Sequence, residues 1–554
     1  MISNLEMSVY NVDARCLDLV APDYFNNSIY QRIIKMLAVL LGVTFVTLVV
    51  YIWRYLSKIY SFWEERGVPY RKPLPFLGNS WDLLSRQVPL NEYHKRFYNS
   101  FPDVPYYGIY DYSKPVLLLK DVDLVERVLI KDFQHFNDRG TGAGVDEQAN
   151  PLDMNLFNMT GNKWRAMRKK LSPLFTTGKL RHMVPPMKTL GDGLVHLLEK
   201  NTSQVDLRDM LQRYAMDVIA TVAFGMNVSI LEETEESEFR RIGKQSFAFD
   251  FPRYLRFAFS TVFPKLAKKL KISQNDPEVT KYFSKVIRET LAHRRETGME
   301  RNDFIQLFVT LQQKGSIEFE GDPLEDGYLK SEDDAKNVET FALTDDAIVG
   351  QAFVFLMAGF EATSITMMYL CYELAVNPEI QKRVRKEVVN AVRNRGVLDY
   401  DSLKEMPYYG QCVQEVTRLH TFVGFLFRQC KKDYTFPGTS LSIKAGQDVI
   451  IPTIGIHQDP AHYENPEKFD PDRFAPDVSR KKCTYLAFGD GPRVCIAMRF
   501  ALTEIKLCVA RILLDYSITL HPKTKLPLVM DKSNFTDIPK DPIYFILTKM
   551  TDSL

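Results

Sequence analysis

Two long apolar stretches stand out in the pattern of hydrophobic and polar positions along the chain. The first covers residues 36–53, which carry no charge and include only Thr44 and Thr47 as polar side chains. At about 1.5 Å per residue this stretch reaches roughly 27 Å, enough to cross the hydrocarbon core of a bilayer. A cleaved signal peptide would be followed by small residues, whereas the chain continues with RYLSKIYSFW. The pattern therefore predicts an uncleaved transmembrane anchor at 36–53.

Basic residues around this span indicate its orientation. Five follow it and two precede it: Arg54, Lys58, Arg66, Arg71 and Lys72 against Arg32 and Lys35. Because positive charge collects on the cytosolic side of an anchor, we expect the large C-terminal part in the cytosol. Residues 1–35 are then lumenal, with Asn26 as a candidate glycosylation acceptor, or a dispensable extension if translation begins at Met36.

The second apolar stretch predicts a central helix between Thr344 and Asn377. Thr344 can cap it, two aspartates suit its first turn, and Pro378 ends it. Apolar residues surround its axis, which a soluble domain accepts only for a helix through its centre. A second membrane span is the alternative, disfavoured by the polar group in mid-helix. A carboxylate such as Glu361 is costly to bury there and is typical of a functional site.

The rest of the pattern divides the chain into a linker and one large domain. Residues 54–79 contain three prolines that exclude helix, which predicts an extended connector. Residues 80–554 show no repeat and no second linker, and helical periodicity dominates 160–425. Short strand-like runs lie at 104–120, 432–452 and 540–549. These features predict a mainly α fold with small β-sheet regions, a single large domain behind the anchor.

Composition narrows the class of protein without naming it. Of the 554 residues 45% are hydrophobic and 25% charged, as in globular proteins, and the formal net charge of +2 offers no whole-chain reason to expect nucleic acid. The seven cysteines are scattered, without a C-x-x-C motif or a Cys/His cluster. We therefore expect reduced thiols facing the cytosol and no zinc site.

Four separated motifs carry the candidate chemistry. They are GNKWRAMR (161–168), AGFEATS (358–364), EVTR (415–418) with PDRF (471–474), and FGDGPRVC (488–495). Each is weak alone, but in this order and spacing they resemble the cytochrome P-450 family, and the resemblance runs from the anchor to residue 550. The surrounding residues look most like the insect microsomal enzymes of the xenobiotic-metabolising group. The resemblance implies the fold of that family and haem b, iron protoporphyrin IX, as cofactor.

The resemblance makes Cys495 the proximal thiolate ligand of the haem iron. Gly489 and Gly491 allow the tight turn that presents the sulfur, and Phe488 is expected to pack against the loop beneath the macrocycle. A thiolate ligand pushes electron density onto iron and favours O–O cleavage. For a lone cysteine such as Cys508, a buried apolar role is the simpler interpretation.

Cations and a structural network complete the expected haem site. By resemblance, the haem propionates pair with Trp164, Arg168, Arg428 and Arg493. A solvated basic helix is the alternative for Arg168, and such a basic face also suits docking of an acidic electron donor. The resemblance further implies that Glu415, Arg418 and Arg473 form a buried network that braces the haem loop. An ordinary i, i+3 pair on a helix surface is the alternative for Glu415 and Arg418.

The distal side departs from the family. The usual pattern has an acid followed at once by a threonine that helps to deliver protons during oxygen activation, whereas here Glu361 is followed by Ala362. Thr363 comes one residue late, about 100° further round the helix. Glu361 and Thr363 are the candidate catalytic residues, with Ser364 or an ordered water as alternatives to Thr363.

The resemblance implies a membrane-bound monooxygenase that oxidises a lipophilic small molecule, such as a xenobiotic, hormone or lipid, with O2 and NADPH-derived electrons. Its expected partners are NADPH–cytochrome P-450 reductase, cytochrome b5 and the endoplasmic reticulum membrane, with the catalytic domain on the cytosolic face. Substrate-facing segments by analogy include 133–160, 246–269 and 421–427; the aromatic stretch 246–269 suits either a hairpin in the membrane surface or plain core helix. The alternatives are the same fold as an isomerase or dehydratase that does not use O2, and a haem-binding protein with little turnover.

Overall fold

The computed structural model describes residues 28–140, 150–248, 250–301, 303–313, 316–317, 341–534 and 536–550. The expectations for Asn26, for most of the extension 1–35 and for part of the substrate-facing segment 133–160 therefore lie outside the described residues. The chain divides into two units, the first ending at Phe62 and the second beginning at Trp63.

Helices make up most of the described chain, in agreement with the predicted mainly α class. In chain order they are α1 (Ser28–Tyr60), α2 (Trp81–Leu84), α3 (Leu90–Ser100), α4 (Val122–Glu126), α5 (Gly161–Leu171), α6 (Thr177–Leu198), α7 (Leu207–Val218), α8 (Glu238–Gln245), α9 (Phe251–Val262), α10 (Pro264–Lys269), α11 (Pro277–Thr297), α12 (Phe304–Gln313), α13 (Asp345–Val376), α14 (Pro378–Arg395), α15 (Pro407–Leu419), α16 (Thr453–His457) and α17 (Met498–Asp515).

The strands form small sheets, as the short apolar runs predicted. They are β1 (Tyr106–Asp111), β2 (Lys114–Leu119), β3 (Val205–Asp206), β4 (Ser316–Ile317), β5 (Phe341–Ala342), β6 (Leu426–Gln429), β7 (Tyr434–Thr435), β8 (Ser442–Ile443), β9 (Asp448–Ile451), β10 (Tyr516–Leu520) and β11 (Tyr544–Lys549). Within the described residues the largest sheet has the order β1-β2-β9-β6, in which β2 and β9 are parallel, and the next has the order β10-β11-β3. The sequence did not predict β3, β4, β5, β6 or β10, because strands of two to five residues leave little periodic signal.

Helix α1 includes the whole predicted anchor and extends beyond it at both ends. Its apolar side chains are exposed within its own unit; Leu41, for example, is 69% exposed. The stretch Gln31–Arg66 is long and apolar enough to cross a membrane, and its most apolar part is not buried at all. By length and composition α1 therefore suits an anchor.

The segment predicted as a linker, 54–79, differs from a free connector. Its first residues continue α1, and from Trp63 onward it belongs to the second unit. Trp63 is fully buried, and its indole N–H donates to the carbonyl of Ile109 at 3.1 Å. Tyr70 forms a bridge with Gly108 of β1. The end of the segment is therefore held against the sheet by these contacts.

Helix α13 runs through the core of the second unit and positions the site. Thr344 caps it by accepting a hydrogen bond from the N–H of Ala347 at 3.2 Å, and the helix ends before Pro378. It packs against α7, α11, α15 and α17 and against a short turn, Pro151–Asp153. Since 78% of its most apolar part is buried inside the protein, its apolar pattern reflects a domain core and not a second membrane span.

Helices α9 and α10 combine a buried and an exposed apolar face. Tyr254 and Ala267 are buried. Five large apolar side chains on the other face are between 44% and 57% exposed: Phe251, Leu255, Phe263, Leu266 and Leu270. The stretch 246–269 is therefore not plain core helix, and its outer side presents an apolar surface.

Candidate functional site

Cys495 lies at the end of a glycine-rich loop that leads into α17. The N–H of Cys495 donates to the carbonyl of Phe488 at 2.9 Å and closes the loop. Gly491 has φ of +70°, and a Cβ atom at this position would collide with the carbonyl oxygen of Leu129. Only glycine fits such a turn without strain. Since α17 begins at Met498, the loop places the thiol beside the N-terminus of an 18-residue helix.

The exposure of Cys495 distinguishes it from the other cysteines. Of the six cysteines that the structure describes, five are buried and Cys495 is exposed. Burial nevertheless raises the pKa of its thiol, while the N–H of Ala497 and the guanidinium groups of Arg168 and Arg139 act in the opposite direction. The sulfur atom is therefore accessible although much protein surrounds it, as at the wall of a recess.

Four arginines from separate elements converge near this thiol: Arg139, Arg168, Arg428 and Arg493. Burial and then the charges of the other three lower the pKa of Arg139 well below its usual range. Burial also lowers the pKa of Arg428 to about 10, and burial with the charge of Arg428 lowers that of Arg493 to about 9. Asp138 lies 3.5 Å from Arg493 but also pairs with Lys431. The cluster therefore carries an excess of positive charge.

Two of these guanidinium groups contain a buried nitrogen without a hydrogen-bond partner. Among the described residues, no acceptor reaches Nε of Arg428 or Nη1 of Arg493. Buried donors without partners are rare in folded proteins, because each loses its hydration without compensation. A group with two carboxylates would supply both the acceptors and the negative charge. The donor set therefore fits the two propionates of haem.

The remaining contacts of the cluster fix α5 against the cysteine loop. Arg168 of α5 donates to the carbonyl of Val494 at 2.7 Å. Arg493 donates to the carbonyls of Asn137 and Met159, both at 2.8 Å, and its guanidinium group lies 4.1 Å from the ring centre of Trp164. The structure thus brings the sequence-predicted propionate partners to one place. Phe488 lies half-buried in the loop.

A buried ionic network lies behind the cysteine loop. Glu415 and Arg418 of α15 are both fully buried and form a bidentate pair with distances of 2.7 and 2.8 Å. Arg473 lies with its Nε 3.3 Å from Glu415 Oε1. Arg418 also donates to the carbonyl of His457 at 2.6 Å, and His457 accepts from the N–H of Leu486 at 2.8 Å. The network therefore connects α15 to the segment that begins the cysteine loop. Because both side chains are buried, Glu415 and Arg418 do not form a surface pair.

One line of residues on α13 is accessible although the helix around it is buried. Ala358 is exposed, and Val354 and Ala362 are half-buried. The spacing of four residues places the three side chains on one face of the helix. An accessible line on an otherwise buried helix borders an internal cavity. This line, which we call the α13 stripe, carries no hydroxyl group.

Glu361 precedes Ala362 on α13, but its carboxyl group points into a separate polar pocket. Its Oε2 accepts a hydrogen bond from Nε2 of Gln212 at 2.8 Å, and its Oε1 lies 4.0 Å from Arg208. These groups line a pocket of about 250 Å³ together with Lys244 and other polar residues. Burial raises the pKa of Glu361, and the charge of Arg208 opposes that rise.

The structure does not bring Thr363 onto the stripe. Its hydroxyl donates to the carbonyl of Gly359 at 2.7 Å, and its side chain faces Glu504 of α17. Ser364 likewise donates to the carbonyl of Glu361 at 3.1 Å. The physical reason is the helical turn of about 100° per residue, which rotates residue 363 away from the cavity that Ala362 borders.

Sequence reasoning missed Arg139, a member of the arginine cluster. It follows Asp138 in an irregular segment without periodicity, and its role depends on residues as distant in the sequence as Arg428 and Arg493. Its guanidinium group donates to the carbonyl of Phe157 at 3.0 Å and lies 4.0 Å from the centre of that ring. No local pattern in the sequence indicated this role.

Comparison with known proteins places the chain in a family. The family model for Cytochrome P450 matches residues 68–546. Cytochrome P450 6B1 of Papilio polyxenes is 34% identical over 501 residues, which cover 89% of this chain and 96% of the relative. Probable cytochrome P450 6a13 of Drosophila melanogaster is 36% identical over 480 residues, covering 86% and 92%. On this similarity, which spans the cysteine loop, the arginine cluster and α13, the chain belongs to the cytochrome P450 family and resembles its insect members of the 6 group.

Proposed function

We propose that this protein is a membrane-bound haem-thiolate monooxygenase in which Cys495 would supply the thiolate that holds the haem iron and the substrate is a lipophilic small molecule. The family supports a haem monooxygenase, and its members bind haem b through a cysteine thiolate. The observation that carries the assignment of the site is the cluster of buried arginines with unpaired nitrogens beside the accessible thiol of Cys495.

Haem b supplies the oxygen chemistry when bound, and the side chains of this protein orient it and supply protons. Arg168, Arg428 and Arg493, with Arg139, pair with its propionates, and Trp164 packs against Arg493. Phe488 packs against the loop that presents Cys495. In this proposal the accessible α13 stripe borders the side of the cavity opposite Cys495, where its small side chains leave room for substrate.

Proton supply is assigned to Glu361. Its carboxyl group lines the polar pocket of Arg208 and Lys244, and it precedes Ala362 of the α13 stripe by one residue. Because Ala362 offers no hydroxyl and Thr363 faces Glu504, an ordered water on the stripe completes the path in this proposal. Burial raises the pKa of Glu361, a change in the direction that a proton donor requires.

Membrane association and electron supply rest on surface features. Helix α1 is apolar and exposed, and α9 and α10 present the apolar side chains described above. These surfaces are suited to contact with a bilayer, from which a lipophilic substrate would be taken up. We assign the endoplasmic reticulum membrane, with the catalytic domain on the cytosolic face. Exposed basic side chains, among them Lys169, Lys170 and Lys482, suit docking of NADPH–cytochrome P-450 reductase and of cytochrome b5.

The experiment that tests the proposal uses the purified full chain. The reduced, CO-bound protein is expected to show the red-shifted Soret band of a haem thiolate, and NADPH with reductase is expected to drive oxidation of a lipophilic test panel. Absence of the band would refute thiolate ligation. Conversion of a lipid hydroperoxide without NADPH, and no NADPH-driven product, would favour an isomerase or dehydratase. A normal band without any turnover would favour a haem-binding protein.

Replacing Glu361 by glutamine should reduce product formation about 100-fold, because general acid–base groups typically contribute about 10²–10⁴ in rate. Glutamine keeps an acceptor for Gln212, so the CO-bound band should not change. In the wild type, turnover should fall as pH rises through the raised pKa of Glu361, because the protonated form is then lost. The variant should lack that limb of the pH profile.

Glu373→Gln is the matched control. Glu373 lies three turns further along α13, is also buried, and bonds to His420 and Asn377 instead of the pocket. It should retain the wild-type pH profile and product yield. Equal effects of both substitutions on product yield and pH profile would show that Glu361 is not part of the proton path.

A further inference from the structure

A buried glutamine ties the central helix to the segment that precedes α5. Gln351 of α13 has no exposed surface. Its Nε2 donates to the carbonyl of Met154 at 2.7 Å, and its Oε1 accepts from the N–H of Leu156 at 2.9 Å. One amide group therefore satisfies both a backbone acceptor and a backbone donor of the same short stretch. This pairing fixes the stretch along the axis of α13.

The neighbouring residue brings the same segment against the α13 stripe. Gly350 precedes Val354 by four residues and so continues the line of the stripe toward the N-terminus of the helix. A Cβ atom on Gly350 would lie 2.5 Å from the carbonyl oxygen of Met154 and 2.6 Å from that of Pro151. The segment therefore rests directly on the helix backbone, at the point where the accessible stripe ends. It therefore bounds the α13 stripe at its N-terminal end.

The other end of the segment reaches the arginine cluster. The carbonyl of Met159 accepts from Arg493, and the carbonyl of Phe157 accepts from Arg139. The Phe157 ring is 43% exposed and packs edge-on against Phe427, with ring centres 6.0 Å apart. Residues 150–160, which we call the end-wall segment, thus span from α13 to the residues that surround Cys495.

We propose that Gln351 is a positioning residue for the substrate: its two hydrogen bonds hold the end-wall segment, and with it the Phe157 ring, at a fixed place between the α13 stripe and Arg493. The inference rests on the proposed function and deepens it. Gln351 itself is covered by protein and touches no substrate. Loss of its hydrogen bonds lets the wall shift, which weakens substrate binding and relaxes the position of oxidation. Iron ligation by Cys495 and proton supply by Glu361 do not involve Gln351.

Gln351→Met tests the proposal, since methionine has a similar length and removes both hydrogen bonds. The KM of a bulky substrate and the dissociation constant from its substrate-induced Soret shift should each rise about tenfold, as expected for the loss of buried hydrogen bonds. The kcat should stay within about twofold, and minor oxidation products should increase. The CO-bound band should remain that of the wild type.

Gln381→Met is the matched control. Gln381 of α14 is also buried and bonds to backbone groups of Leu374 and Ile518, far from the end-wall segment. It should lower the Tm at least as much as Gln351→Met and leave KM and the product ratio unchanged. Equal KM values and products for the two variants would overturn the proposal and leave Gln351 a purely structural residue.

A second variant keeps the proposal testable if Gln351→Met does not fold. Asn155→Ala loosens the same segment from within, because Asn155 Oδ1 accepts from the N–H groups of Phe157 and Asn158. It should raise KM and change the product ratio in the same direction, and an unchanged KM would overturn the proposal. Failure of the proposed function itself would be distinguishable, since the wild type would then lack the thiolate band or NADPH-driven turnover.

Discussion

Cys495→Ser should abolish monooxygenation and remove the red-shifted CO band. Serine has nearly the shape of cysteine, so the loop closed by the Phe488 carbonyl should persist. Its hydroxyl remains protonated near neutral pH and is a poor substitute for a soft thiolate ligand. Loss of outer-shell partners alone costs metal sites about 10- to 100-fold, so loss of the ligand should reduce turnover by more than about 100-fold. Spectra of the reduced, CO-bound protein and NADPH-driven product formation measure both effects.

Cys508→Ala is the control for this experiment. Cys508 lies on α17, the same helix that follows Cys495, and is buried with a strongly raised thiol pKa. Its substitution should lower stability modestly through a small cavity and leave the CO band in place. A wild-type band in Cys495→Ser, or its loss in Cys508→Ala, would mean that another cysteine ligates the iron.

Glu415→Gln should destabilise the protein strongly and prevent most of it from holding haem. Glutamine keeps the size of the side chain but removes the counter-charge of Arg418, which is fully buried, and of Arg473. Breaking a buried ion pair typically costs about 3–5 kcal/mol, because a charge is left buried without compensation. Total stabilities are only about 5–15 kcal/mol. The expected result is a fall in the free energy of unfolding by about 3–5 kcal/mol and a low yield of CO-binding protein.

Asp472→Asn is the matched control for the network. Asp472 lies next to Arg473, but its pair with Arg383 is exposed on both sides. Exposed pairs contribute little, so denaturant unfolding and haem content should stay near the wild type. If Glu415→Gln retained wild-type stability and haem content, the network would have no role in holding the cysteine loop.

Local sequence patterns predicted the elements that carry the site. Thr344, the aspartates after it and Pro378 define the ends of α13 by interactions within a few residues, so their effect is readable without a fold. The glycines of the cysteine loop are another case, since the turn at Gly491 needs positive φ. Strands as short as β3 and β4 have no comparable signal and depend on pairing with distant partners.

Contacts between distant segments could not be predicted. Arg139 joins the cluster only because the fold brings an irregular segment against Arg493, and Gln351 reads in the sequence as one polar residue in an apolar helix. The direction of Thr363 follows from helical geometry, but only the packing of α13 against α17 shows that it meets Glu504. The sequence therefore predicted which residue types the site contains, whereas the directions of their side chains became known only from the tertiary structure.

The spacing of the α13 stripe also shapes what can lie on it. Four residues turn a helix by slightly more than a full circle, so each step of the stripe advances about 6 Å and drifts about 40° around the axis. Between Val354 and Ala362 the accessible line therefore covers about 12 Å and rotates by about 80°. A long, rigid, planar molecule could touch only part of it. Compact or twisted molecules, whose curvature follows the drift, would make the more extensive contact.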